Sequence, residues 1–197
     1  MNRFVLATLA FFLYTGVAHA EAESQALDIR LGDNSARFIY ATEVFGGSFG
    51  ATNLDLGLFF NEHNDYMVHV GMFIASESLE NPFTISLGFR GYYADAGNNP
   101  DPNIPQTDVG ALAIGGDLVF TPKNFGGFGF AVDYYIAPSV LSFMDADRFV
   151  EYGARMEFSI TEQTKLLLGY RNINVDRTDG VNVVIDSGFM FGIGLRF

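Results

Sequence analysis

The sequence predicts an all-β chain, a transmembrane, antiparallel, up-and-down β-barrel of ten strands, with eight as the alternative. Three observations predict it. Apolar and polar residues alternate with period two through nearly the whole chain beyond position 26, a pattern that a strand with one apolar face produces and a helix does not. The apolar faces are almost purely Leu, Ile, Val, Phe and Tyr, while the opposite faces are crowded with Gly and charge. A leader with the layout of an export signal stands before these segments.

Composition narrows the class further. The 197 residues carry 11 Lys+Arg against 23 Asp+Glu, a formal net charge of −12, with 21 Phe, 22 Gly, no Cys and no Trp. The length allows one domain or two small ones. Strong acidity argues against a nucleic-acid partner, whose phosphates require Lys/Arg clusters. The absence of Cys excludes a disulfide scaffold, a thiol nucleophile and a Cys-based zinc site. The abundance of Phe excludes a disordered acidic tail.

Taken in order, Met1-Asn2-Arg3 is a short positive start, Phe4 to Val17 an apolar run, and Ala18-His19-Ala20 a small-x-small cleavage signal. The run is shorter than the ~20 residues that a membrane-spanning helix needs. Cleavage after Ala20 is expected, which leaves residues 21–197 as the barrel and changes the charge from −12 to −13 through loss of Arg3. No Cys follows the cleavage site, so the chain does not read as a lipoprotein.

Two weaker strands come first. Leu27, Ile29 and Leu31 oppose Asp28 and Arg30, and Phe38, Tyr40, Thr42 and Val44 oppose Arg37, Ile39, Ala41 and Glu43. Whether these two stand in the wall decides between ten strands and eight. Next, Leu54, Leu56, Leu58 and Phe60 oppose Asn53, Asp55, Gly57 and Phe59, and Tyr66, Val68, Val70, Met72 and Ile74 oppose Met67, His69, Gly71 and Phe73. Phe83, Ile85, Leu87 and Phe89 face away from Ser86, Gly88 and Arg90, and Leu112, Ile114, Leu118 and Phe120 from Ala111, Ala113, Gly115 and Asp117. Phe128, Phe130, Val132, Tyr134 and Ile136 oppose Gly127, Gly129, Ala131, Asp133 and Tyr135, and Val150, Tyr152, Ala154, Met156, Phe158 and Ile160 oppose Glu151, Gly153, Arg155, Glu157 and Ser159. Leu166, Leu168 and Tyr170 oppose Lys165, Leu167, Gly169 and Arg171. At the end Phe189, Phe191, Ile193, Leu195 and Phe197 oppose Met190, Gly192, Gly194 and Arg196. Most of these runs have the ~9–11 residues that cross a bilayer at barrel tilt.

Connection lengths are a separate signal. Short turns fall at 161–163, 121–124 and 77–81, and long ones at Val175 to Asp186, Pro138 to Asp147 and Ala94 to Asp108. Outer-membrane barrels have short periplasmic turns and longer outer loops, so the Phe197 end is expected in the periplasm.

On the inner faces the acids are Asp28, Glu43, Asp55, Asp117, Asp133, Glu151 and Glu157, and the bases Arg30, Arg37, Arg90, Arg155, Lys165, Arg171 and Arg196. Seven stand against seven, so the excess acid is assigned to loops and turns. The lumen charges either pair to satisfy one another or line a narrow polar pore. Barrels of about eight strands are just wide enough to be filled by side chains, and inward Phe59, Phe73, Phe149, Met67 and Met190 favour filling. Outer-membrane lipid and lipopolysaccharide are the expected partners; whether acidic outer loops hold Ca²⁺ or Mg²⁺ against lipopolysaccharide phosphates is left open, to be tested by barrel–lipid affinity with and without chelator. No cofactor, no metal site and no enzyme are expected. Of the three His, His19 leaves with the leader, His63 stands in a turn, and His69 faces the lumen without a Ser beside it. Phe197, with Leu195, Ile193 and Phe191 at steps of two, has the form of the terminal signal read by the barrel assembly machinery.

Asp133-Tyr134-Tyr135, Pro138, Leu141-Ser142, Glu151, Ala154-Arg155, and Gly169-Tyr170-Arg171 followed by Ile173-Asn174 resemble the YfaZ family of outer-membrane proteins. The resemblance is best over residues 109–197. It implies a signal-bearing barrel of the Gram-negative outer membrane and brings no catalytic site. Two functions remain open at this level: a structural or surface-interaction barrel acting through its loops, and a narrow porin-like channel for ions or small solutes.

Overall fold

A chain that alternates in this way must hide one face of every strand, and closing the sheet on itself also removes its edges. The computed structural model describes residues 24–47, 50–76, 82–97, 106–123 and 125–197. The leader and its expected cleavage site lie outside the described residues. The strands are β1 (Gln25–Gly32), β2 (Ser35–Gly47), β3 (Gly50–Asn61), β4 (Tyr66–Ala75), β5 (Phe83–Ala96), β6 (Thr107–Phe120), β7 (Phe128–Ala137), β8 (Ser142–Met144), β9 (Ala146–Ser159), β10 (Thr164–Arg177) and β11 (Asn182–Arg196). All but β8 form the wall, each pairing antiparallel with its neighbours in chain order, and β7 pairs directly with β9. The ring closes where β1 meets β11, with Ala26 opposite Arg196 and Gly32 opposite Met190. Gln25 and Phe197 complete that seam by exchanging backbone hydrogen bonds of 3.0 Å in both directions. The barrel therefore has ten wall strands, and the two weak N-terminal segments belong to it.

The alternation appears directly in burial. On β7 the side chains of Phe128, Phe130, Val132 and Tyr134 are exposed outward, while Ala131, Asp133 and Tyr135 are buried inward.

Along most of the wall strands, though not β1 and β2, this polarity changes as the chain leaves the end that carries both termini. Low in the barrel the inward residues are mostly charged, Gly or Ala, with Ile39 and Leu167 among them, and the outward ones are apolar. High in the barrel the order inverts. On β10, inward Arg171 is followed by Ile173 and Val175, both fully buried, while outward Tyr170 is followed by Asn172 and Asn174. On β9, inward Glu151 gives way to Phe149, and on β5 inward Arg90 gives way to Tyr92, Ala94 and Ala96. The upper tier thus has an apolar core of Phe59, Met67, Val109, Phe149, Ile173, Val175, Val183 and Ile185. At the boundary the outward residues are aromatic: Phe60, Tyr66, Tyr93, Tyr134, Tyr152, Tyr170 and Phe189. Tyr66 and Tyr93 pack with ring centroids 6.2 Å apart, and Tyr170 meets Phe189 edge-on at 5.8 Å. Such a girdle marks the membrane–water interface of a barrel.

Two readings of the connections need correction. The segment Val175 to Asp186 is mostly strand, because β10 runs to Arg177 and β11 starts at Asn182, leaving only the turn 178–181. Asn174, Asp176 and Asn182 look like loop residues because they form the polar outward face of an upper-tier ladder. Connection length also separates the two ends less cleanly than the sequence suggests. Connections 76–82 and 121–127 at the termini end are no shorter than 62–65 and 178–181 at the other. Only 97–106 and 138–145 distinguish the loop end, and the latter is itself structured, as a 3-10 turn Ser139–Leu141 followed by β8.

Candidate functional site

Every wall strand sends at least one ionisable side chain into the lumen. On β2, Arg37 is 1% exposed and forms a two-pronged ion pair with Glu151 of β9, reaching across the barrel. Glu151 Oε2 also accepts the Tyr92 hydroxyl at 2.9 Å. Arg37 Nη2 lies 3.3 Å from His69 Nδ1. A guanidinium only donates, so Nδ1 is the acceptor and the imidazole proton sits on Nε2. That nitrogen stands 3.4 Å from Asp55 Oδ2, without the alignment of a hydrogen bond. Asp55 accepts from Arg90 at 2.8 Å, and the Arg90 guanidinium lies 4.0 Å over the Tyr135 ring. Tyr135 in turn donates to Asp117 at 3.1 Å.

The chain of pairs continues down the wall. Arg155 bonds Asp133 and Glu157, both at 2.9 Å, and Lys165 reaches Glu157 at 2.7 Å. Arg30 pairs with Asp28 at 2.7 Å. Arg171 pairs with Asp186 at 2.6 Å and lies 5.2 Å from the Phe59 ring centroid. Burial of this many charges is tolerable only because each cation meets a carboxylate. Two glycines make room for it. A Cβ on Gly57 would fall on the His69 ring, and one on Gly71 would fall on the Asp55 carboxylate.

The structure thus joins Arg30, Arg37, Asp55, Arg90, Asp117, Asp133, Glu151, Arg155, Glu157, Lys165 and Arg171 into lumen pairs. Arg196 is a correction: it follows the inward parity but stands exposed at the termini rim, where β11 ends. Glu43 is likewise only half-buried near that rim. Sequence reasoning missed Asp186, which was placed in the Val175 to Asp186 connection although it continues the inward parity of Gly188 and Met190, opposite Ile173. It also missed the hydroxyls of Tyr92 and Tyr135, which inward parity on β5 and β7 could have flagged. Phe191, Ile193 and Phe197 are exposed on the outer face, and Leu195 is half-buried there.

Outside the wall, Arg177 ties the tip of β10 to β6 by donating to Gln106 O at 3.0 Å and Thr107 Oγ1 at 2.7 Å. Its guanidinium also bonds Asp179 in the neighbouring turn, which holds that carboxyl below the usual carboxylate range. Among the described residues no group of three or more His, Asp or Glu is arranged to hold a metal ion.

A closed ten-strand barrel, apolar outside and charged within, defines an outer-membrane β-barrel protein. The chain belongs to the YfaZ precursor family, which matches it over residues 1–197. Two solved structures are similar to it. The outer membrane channel DcaP of Acinetobacter baumannii has 12% identity over 88% of this chain and 62% of that one, with a TM-score of 0.43. The NanC porin has 15% identity over 89% of this chain and 99% of that one, with a TM-score of 0.42. The chain thus spans 62% of the length of the DcaP channel. No curated protein matches it.

Proposed function

We propose that this protein is a plugged outer-membrane barrel with a structural or surface-interaction role, exercised through its acidic connections. The observation that carries this reading is the Arg37–Glu151 pair, buried in the lumen and spanning it from β2 to β9. Above it, the apolar tier around Phe149 and Ile173 supports closure to ions as well. In this reading residues 1–20 are a cleaved export signal, the Phe197 end faces the periplasm, and the loop end meets lipopolysaccharide. The terminal Phe191, Ile193, Leu195 and Phe197 are recognised by the barrel assembly machinery during insertion. The reading assigns no enzymatic role.

A narrow channel is the second reading. What favours it is the lower lumen, where the side chains of Asp28 and Lys165 are each 28% exposed and polar groups continue toward the termini end. Purified protein in a planar bilayer separates the two. A silent membrane is expected from the unaltered protein, and from the protein in which Arg37 and Glu151 are both replaced by Ala, because the apolar tier above the pair still fills the lumen. Discrete steps from the unaltered protein that change on Arg155→Ala would establish the channel instead.

A further inference from the structure

The connection 138–145 does more than join β7 to β9. Its strand β8 pairs with the upper part of β6, with Val109 opposite Met144, Gly110 opposite Phe143 and Ala111 opposite Ser142. β6 is free to accept it because its ladder with β7 begins only at Ile114. Ser142 is anchored inward, its hydroxyl 3.2 Å from the carbonyls of Ala137 and Pro138. Phe143 and Met144 are turned out instead, 54% and 61% exposed, and Val140 beside them is 81% exposed. Met144 would face inward by alternation, but its backbone has φ 64°, a left-handed conformation that residues with a Cβ rarely adopt. Three apolar side chains are thereby held outside the wall.

Their height identifies what they meet. Tyr93 of the girdle lies directly opposite Gly110 on β6, and Gly110 lies directly opposite Phe143 on β8. The three are one row across the outer surface. From β3 to β11, β6 alone among the wall strands has no aromatic residue at this level. A Cβ on Gly110 would press to 3.3 Å from the Phe143 Cβ and 3.7 Å from the Met144 sulfur, so the glycine lets both side chains lie flat against the wall. Below the row, the outward face of β6 continues into exposed Leu112 and Ile114. Just above it the surface turns polar: Asp145 caps the Asp108 amide at 3.1 Å.

We propose that β8 is a membrane-interface anchor. Phe143 fills the gap in the aromatic girdle at β6, and Val140 and Met144 seat in the boundary between headgroups and acyl chains of the leaflet at the loop end. The occupant is a lipid surface, because the patch is continuous with the lipid face below it and bounded by acid above it.

The absence of Trp from the chain makes a single introduced indole an unambiguous probe. Phe143→Trp, Met144→Trp, Ile114→Trp and Val184→Trp would each be reconstituted in phosphatidylcholine vesicles, and folding checked by the gel shift between heated and unheated samples. Bromines would be placed on the acyl chains either near the headgroup or near the bilayer centre. Ile114→Trp tests the barrel's lipid face on which the proposal rests: without quenching there, that face itself is misassigned. With Ile114→Trp quenched, Phe143→Trp is expected to emit to the blue of Val184→Trp. It should lose more intensity to bromines near the headgroup than to those at the centre. Emission matching Val184→Trp with no quenching at either position would overturn the anchor. Blue emission without quenching, together with concentration-dependent cross-linking, would replace lipid by a second copy of the chain. Met144→Trp repeats the test if Phe143→Trp fails to fold.

Discussion

The upper tier of the barrel is built from eight of the ten strands that form the lower one, β1 and β2 contributing only below, and its polarity is opposite. Between Asp28 and Glu151 the inside is ionic and the outside is apolar; around Phe149, Ile173 and Val175 the inside is apolar and the outside carries Asn174, Asp176 and Arg148. Two solvents explain the difference. Lipid takes over the role of apolar burial for the outer face of the lower tier, so its lumen is left for polar side chains and the glycines between them. Water surrounds the upper tier, which must bury its own apolar side chains inward, as any soluble β structure does. The aromatic row from Phe60 to Phe189 lies where one regime gives way to the other.

The largest effect expected from breaking this contrast is in the ionic tier. Glu151→Ala strands the buried Arg37 guanidinium and should cost about 3–5 kcal/mol, whereas the double replacement Arg37→Met with Glu151→Leu should be close to neutral. Urea unfolding of the protein in lipid vesicles reads both. If the double variant is as unstable as the single one, the pair is not the source of the cost.

The next effect concerns the two outer faces. Leu56→Arg, on the apolar exterior of β3, should cost about 2–4 kcal/mol as a charge placed in lipid. Val184→Arg, equally exposed but above the girdle, should stay within about 0.5 kcal/mol. Equal costs at both positions would remove the boundary from where the girdle places it.

Gly57→Ala drives a methyl group into His69 and should cost about 1–3 kcal/mol by overpacking. The accompanying His69→Ala should recover most of that loss, since the ring is what the methyl meets. Smallest of all, Ile173→Val in the upper core should cost about 0.5–1.5 kcal/mol. No measurable change there would mean that the upper tier is not packed.

Much of this was legible in the sequence because period-two alternation is a local property. Phe189 to Phe197 declares its strand, its lipid face and its lumen face without reference to any other segment. The lumen residues followed from parity alone, with Arg37, Glu151 and Arg171 all falling inward as counted. Reasoning failed where the solvent changed along a strand. Val175 to Asp186 read as a loop because polar outward residues such as Asp176 and Asn182 were expected only in turns, and Asp186 was lost with them. Asp186 keeps the inward parity of Gly188 and Met190, since the register shift lies beyond it, so extending the last strand by alternation would have recovered it.

The sequence by itself determined a run of alternating strands, most of the charges that face the lumen and a family. It did so because each of these is written in neighbouring residues. Only the tertiary structure decided that Arg37 pairs with Glu151, 114 positions away, that His69 lies between Arg37 and Asp55, and that β8 folds back onto β6. Those contacts depend on how ten tilted strands close into one ring. Closure sets which inward side chains meet across the lumen, and no local pattern contains that information.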